Sequence, residues 1–190
     1  FKACAGILKD YLERCGVSVR VTEDREALRS LKGYDALILY TQGGKLTQAQ
    51  ERSLLGFVSQ GGGLLAIHCA SDSFVSNKKY MKLLGAQFTS HGPISEVSVN
   101  LKTPKSLLTA RIEDFKIQDE FYVLKEHTKD LEVHATGLWL GREHPMVFTR
   151  SHGKGRVFYT ALGHDERAFK HPAFKKLIWR GLCFLTGRLK

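Results

Sequence analysis

Gly61-Gly62-Gly63-Leu64-Leu65-Ala66-Ile67-His68-Cys69-Ala70-Ser71-Asp72 is the stretch from which the rest of the chain can be ordered. Glycine tolerates positive φ, so the triplet ends whatever helix precedes it. Four apolar residues follow without a polar break, the pattern of a short strand buried on both faces. That run stops on His68. In an open α/β sheet, ligands collect at the carboxyl ends of the strands, which makes His68 the first candidate for chemistry. A histidine that merely caps a strand is the plainer reading of the same position.

Upstream of the triplet, Thr47 and Gln50 have capping-box spacing and open a helix carrying Leu54, Leu55, Phe57 and Val58. Before it, residues 34–40 read as a second buried strand, residues 26–31 as a brief helical turn and residues 17–21 as a period-two strand. Residues 2–15 carry Cys4, Ile7, Leu8, Tyr11, Leu12 and Cys15 on one helical stripe, with Gly16 at the stop. Downstream, residues 78–84 predict another helix. Helices alternating with strands in this way predict a mostly parallel sheet with helices on both faces, and residues 64–67 as its central strand.

The second half changes character. Residues 97–101 alternate like a strand, and residues 104–115 read as an irregular connection. Residues 145–150 and 156–160 flank Ser151-His152-Gly153-Lys154-Gly155 and predict a β-hairpin. A final helix, opened by Pro172, buries Phe174, Leu177, Ile178, Leu182 and Leu185. Residues 1–190 thus read as one α/β domain. The first residues, Phe1-Lys2-Ala3-Cys4, read as helix interior, so the chain is expected to begin mid-domain.

With 43% hydrophobic and 10% aromatic residues, the composition is that of an ordinary globule. No apolar run approaches the ~20 residues that span a bilayer, and no signal segment opens the chain. The formal charge is +10, from 29 Lys and Arg against 19 Asp and Glu. These cations are scattered and accompany no nucleic-acid motif. Solubility or an anionic ligand therefore explains them better than nucleic acid does. Cys4, Cys15, Cys69 and Cys183 lack C-x-x-C pairing, which in a chain this long points to reduced thiols and a cytoplasmic setting.

Titratable groups gather in four short segments. These are His68 to Asp72, His91, Asp119-Glu120 followed by Tyr122, and His164-Asp165-Glu166 after the last strand. Brought together, they suit general acid–base work or metal ligation. Taken singly, Asp119-Glu120 reads as a solvated charge pair and Asp165-Glu166 as a helix start. His144 and His171, each before a proline, read as structural, and His127, His134 and His152 have no distinguishing context. Lys154 and Arg156 are either surface charges of the hairpin or binders of an anionic group.

These motifs resemble the trehalose-utilisation (ThuA-like) family. Gly61-Gly62-Gly63 with Ile67-His68-Cys69-Ala70-Ser71-Asp72 resembles its glycine-rich segment ending in H-x-A-x-D. Leu84-Gly85-Ala86-Gln87-Phe88 with His91, and Asp119-Glu120-Phe121-Tyr122, are similar to its L-G-G-x-F…H and D-E-x-Y elements. His144-Pro145, Gly153-Lys154-Gly155-Arg156-Val157 and Gly163-His164 follow its H-P…G-K-G-R-V…G-H order. The matches run from about Gly61 to Gly187.

The resemblance implies a three-layer, flavodoxin-like fold of the class I glutamine amidotransferase type, whose members normally begin with a strand not visible here. It also implies carbohydrate metabolism, of trehalose-like disaccharides or their keto forms. The residues assign catalysis to His68, Asp72, Glu120 and His164, with Asp72 orienting His68. Substrate binding falls to His91, Asp119, Tyr122, Lys154 and Arg156. His68, His164 and Glu120 offer a ligand set for a divalent metal such as zinc. Expected chemistry is proton transfer next to a sugar carbonyl, leading to isomerisation, elimination or hydrolysis.

Amidotransferases of this fold carry a cysteine at the elbow. Here that position is His68, with Cys69 one residue out of register, which argues against glutaminase chemistry. Two alternatives stand beside the enzyme reading: a non-catalytic sugar-binding or regulatory module, and a hydrolase built on Cys69, His164 and Glu166. The expected partner is a small sugar or keto-sugar, with no membrane, and a homo-oligomer is compatible with the sequence.

Overall fold

The computed structural model describes residues 1–102 and 106–189. It opens with helix α1 (Lys2–Arg14), which buries Cys4, Leu8 and Leu12 from the expected stripe. Residues 17–21 point Val17 and Val19 inward but form no strand, a correction to the period-two reading. Alternation alone does not make a strand where no neighbour supplies the ladder. The helical turn at Arg25–Arg29 is a 3-10 turn capped by the Asp24 side chain.

Strand β1 (Ala36–Leu39) leads to α2 (Gln48–Ser59). Both halves of the Thr47–Gln50 capping box form, at 3.3 and 2.9 Å. Strand β2 (Gly63–Ile67) is buried along its whole length, as its apolar run requires. After a 3-10 turn over His68–Asp72 come α3 (Lys78–Leu84), β3 (Ala86–His91) and β4 (Ser95–Leu101). In the connection read over residues 104–115, Pro104 and Lys105 lie outside the described residues. Strands β5 (Phe115–Asp119), β6 (Tyr122–Glu126), β7 (Glu132–Trp139), β8 (Arg142–His152) and β9 (Gly155–Thr160) follow. Helices α4 (Glu166–Lys170) and α5 (Pro172–Leu185) close the chain.

The main sheet has seven strands in the order β1-β2-β9-β8-β7-β4-β5, and β3 pairs with β6 in a separate ribbon. Only β1–β2 and β2–β9 are parallel. The pairings β9–β8, β8–β7, β7–β4 and β4–β5 are antiparallel, so the expectation of a mostly parallel sheet is corrected. For β7–β8 and β8–β9 the two-residue connections force this outcome, because so short a hairpin can join only antiparallel neighbours. Strand β2 is second from one edge, not central; β8 holds the middle. Helices α1, α4 and α5 pack together, with α5 on β2 and β9 and α4 on β5, while α2 and α3 pack together as a second group that also meets β9. No helix among the described residues is long and apolar enough to cross a membrane.

The β8–β9 hairpin forms as read, and its turn is clamped against the end of α2. A Cβ at Gly155 would overlap the carbonyl oxygens of Val58 and Gly62. Backbone cannot swing aside as a flexible side chain can. Gly155→Ala is therefore expected to lower stability by about 3 kcal/mol, the upper end of overpacking costs. A urea midpoint equal to that of the unchanged protein would contradict this packing.

Candidate functional site

Strand β2 delivers His68 on a left-handed turn, with φ at +48°. A residue with a Cβ adopts this only at a cost of about 1–2 kcal/mol. Two buried hydroxyls hold the turn: Tyr159 Oη and Ser71 Oγ each donate to the His68 carbonyl at 3.0 Å. They lie 2.8 Å from one another.

The imidazole is equally constrained. Its Nδ1–H donates to the Ala161 carbonyl at 2.6 Å, which leaves Nε2 as the nitrogen with the lone pair. Tyr122 stacks on the ring with centroids 3.7 Å apart, and Phe88 packs on Tyr122 at 4.5 Å. Burial pulls the His68 pKa down to about 3, with His164 and His91 acting in the same direction against the Ala161 carbonyl. His68 is therefore neutral at pH 7. Its Nε2 is buried without a hydrogen bond and has Glu120 Oε2 at 3.5 Å, a contact between a neutral ring and a carboxylate rather than an ion pair.

Asp119 and Glu120 do different work. Successive residues of a strand point to opposite sides, and β5 ends between them. Asp119 is 1% exposed and accepts backbone N–H groups from Gly163 at 2.7 Å, His164 at 3.0 Å and Glu120 at 2.9 Å. Burial pushes its pKa up to about 6, against the pull of those three donors. These bonds join the far edge strand of the sheet to the loop after β9, so the sheet curls to close the site. Gly163 has φ of +119° and would place a Cβ 2.6 Å from Ile67 Cγ2, so only glycine fits beneath the elbow. Tyr40 Oη completes the clamp by donating to the His164 carbonyl at 3.0 Å.

Glu120 turns the other way, into the imidazoles. Its Oε2 lies 3.0 Å from His164 Nδ1 and 3.5 Å from His68 Nε2, and its Oε1 lies 3.5 Å from His91 Nδ1. Glu120 is 13% exposed, whereas His164 is 34% and His91 47% exposed, so the cluster opens to solvent at those two rings. Among the described residues, His68, Glu120 and His164 are also the group whose ligand atoms all lie within 4.8 Å of one another. They are the residues able to hold a metal.

The other candidates separate from this cluster. Asp72 is half-buried and makes no hydrogen bond to His68 among the described residues; the Ala161 carbonyl orients the ring instead. Lys154 precedes β9 and Arg156 sits at its start, six and four residues, or about 20 and 13 Å, from its carboxyl end. There they line a cleft of about 430 Å³ with Asp35 and Arg188, and Arg156 donates to the Phe184 carbonyl at 2.7 Å. Arg156 is level with Gly63, so Lys154 and Arg156 lie at the opposite end of β2 and β9 from His68. Cys69 is 4% exposed, and burial pushes its thiol up to about 12. Glu166 pairs with Lys170 at 2.7 Å, while His164 belongs to Glu120, so the Cys69–His164–Glu166 arrangement does not form. All four cysteines are free thiols. Tyr40, Ser71 and Tyr159 support the site without any local sequence signal, because each acts through a residue distant in the chain.

This is an α/β domain with a carboxylate-and-imidazole cluster on the elbow after an inner strand. The family model described as ThuA, trehalose utilisation, matches residues 2–185, and the chain belongs to that family. The structure is similar to a putative ThuA-like protein from Parabacteroides merdae, with a TM-score of 0.85 and 21% identity over 98% of this chain and 85% of that one. A putative ThuA-like protein from Bacteroides uniformis gives 0.82 and 19%, over 98% and 86% of the two chains. The fold also matches 27% of a cold-adapted β-galactosidase from Rahnella, with 98% of this chain covered, a TM-score of 0.72 and 17% identity. No curated protein matches the sequence.

Proposed function

We propose that this protein performs acid–base chemistry on a small sugar or keto-sugar, of the trehalose type that its family's description names. One observation carries this reading: a single carboxylate, Glu120, stands between three imidazoles in contact range of both its oxygens. Neutral His68, fixed by a strained elbow, is a poor base. With Tyr122 stacked on it, the ring forms the inner wall of the cluster. Proton transfer then falls to the Oε1 side of Glu120, beside His91, whose Nδ1–H is held by the Gly92 carbonyl at 2.8 Å and whose half-exposed ring opens that side to solvent. A carboxylate and an imidazole in this relation suit removal of a proton next to a sugar carbonyl. The C–H electron pair becomes a C=C bond to the carbonyl carbon as the carbonyl pair moves onto oxygen. In isomerisation the proton returns to the former carbonyl carbon; in elimination the C–O bond one carbon further breaks and the departing oxygen takes the proton.

The test is incubation of the purified protein with trehalose and with its keto derivatives, followed by NMR. Consumption of a keto-disaccharide supports the reading. Saturable binding without any turnover would replace it with the sugar-binding or regulatory module. Neither binding nor turnover would remove both.

A further inference from the structure

The geometry points to a divalent cation, of the zinc class, held by His68 Nε2, Glu120 Oε2 and His164 Nδ1, with its remaining position open to substrate. This deepens the proposed function, since it assigns the Oε2 side of Glu120 to a metal and leaves the Oε1 side with His91 for the proton.

Three independent features support it. The first is the orphaned nitrogen. His68 Nε2 is buried, carries the lone pair, makes no hydrogen bond among the described residues and is aimed at Glu120. A buried polar atom without a partner is costly, and a cation satisfies it. The second is the tautomer. An Nδ1–H donated to a backbone carbonyl is the arrangement by which metal-bound histidines are usually fixed, and the bond to Ala161 supplies it. The third is spacing. Zinc bonds of about 2.0–2.2 Å imply tetrahedral ligand separations of roughly 3.3–3.5 Å. Glu120 Oε2 lies 3.5 Å from one nitrogen and 3.0 Å from the other, so modest spreading admits the ion. Two imidazoles and one carboxylate also make a set that zinc uses where it keeps an open position for water or substrate.

The strained elbow then has a purpose. It turns His68 inward from the end of β2, where the Asp119 clamp has brought both Glu120 and His164. A cation held by these three residues would leave a position for the carbonyl oxygen of a keto-sugar and would draw electron density from it. The C–H bond beside that carbonyl would break, its proton passing to Glu120 Oε1 on the solvent-open side, and its electron pair would become the new C=C bond as the carbonyl pair settles on oxygen.

The experiment uses chelator-treated full-length protein titrated with zinc by calorimetry, and with cobalt(II) followed in the visible spectrum. One equivalent is expected to bind with Kd of about 1 µM or tighter. The cobalt adduct should show the intense absorption of a four-coordinate site. Glu120→Gln and His164→Ala should each weaken binding by at least about 100-fold, since each removes a ligand. His152→Ala, on the remote hairpin, should leave it within about twofold. Absence of stoichiometric binding, or equal binding by all variants, overturns the cation site. Keto-sugar turnover that survives chelation with no metal bound would remove the cation and leave the acid–base reading standing. Metal binding with no turnover would do the reverse.

Discussion

Glu120→Gln is expected to lower kcat/KM for the keto-disaccharide by two to four orders of magnitude, in the range of about 10²–10⁴ that a positioned general acid–base group contributes. The amide keeps the size of the carboxylate but loses its charge and its ability to accept a proton. It would also present an N–H₂ group to nitrogens that now face oxygens at 3.0–3.5 Å. Folding should survive, because the amide is isosteric with the carboxylate and the Glu120 backbone N–H remains on Asp119. The decisive comparison is kcat/KM against thermal midpoint in the same preparation. Activity within about threefold of the unchanged protein would show that the carboxylate is a bystander.

Asp119→Ala is expected to be the most destabilising single change at the site. It removes the acceptor of three backbone N–H groups, on Gly163, His164 and Glu120, in a place that is 1% exposed. Each buried donor left unpaired costs about 1–3 kcal/mol, so a loss of roughly 3–5 kcal/mol follows even if the loop relaxes. Asp119→Asn keeps one acceptor oxygen and should fall between the two. Both variants should lose activity more than Glu120-distal substitutions of equal stability cost, because the clamp places Glu120 and His164 together. Denaturant unfolding with an activity assay on the folded fraction checks this. A normal unfolding midpoint for Asp119→Ala would contradict the clamp.

What the sequence made legible was local. The strand ending on His68, the Thr47–Gln50 capping box, the hairpin of β8 and β9 and the Pro172 helix all rest on spacings within a few residues, and all form. The curl of the sheet was not legible. It depends on Asp119 reaching Gly163, 44 residues away in the chain, and no local pattern encodes such a pairing.

The same limit explains the site. His68, Glu120, His164 and His91 do come together, because each ends or follows a strand at the same edge of the fold. Asp119-Glu120 read as one acidic pair, whereas a strand's two-residue period sends one side chain under the loop and the other into the imidazoles. Lys154 and Arg156 lie apart from the imidazoles because the turn of the β8–β9 hairpin and the carboxyl end of β9 are one strand length from each other. Asp72 failed for a related reason: four residues on in a 3-10 turn does not place a side chain over His68, and the ring's partner came from Ala161 instead.

The most direct test of the central claim is solvent exchange at the carbon beside the sugar carbonyl. The keto-disaccharide is incubated with enzyme in D₂O, and the proton signal at that carbon is followed by NMR. The account predicts that the unchanged protein washes deuterium into that position and that Glu120→Gln does not. Equal exchange by both proteins, or no exchange while the sugar is bound, would contradict it.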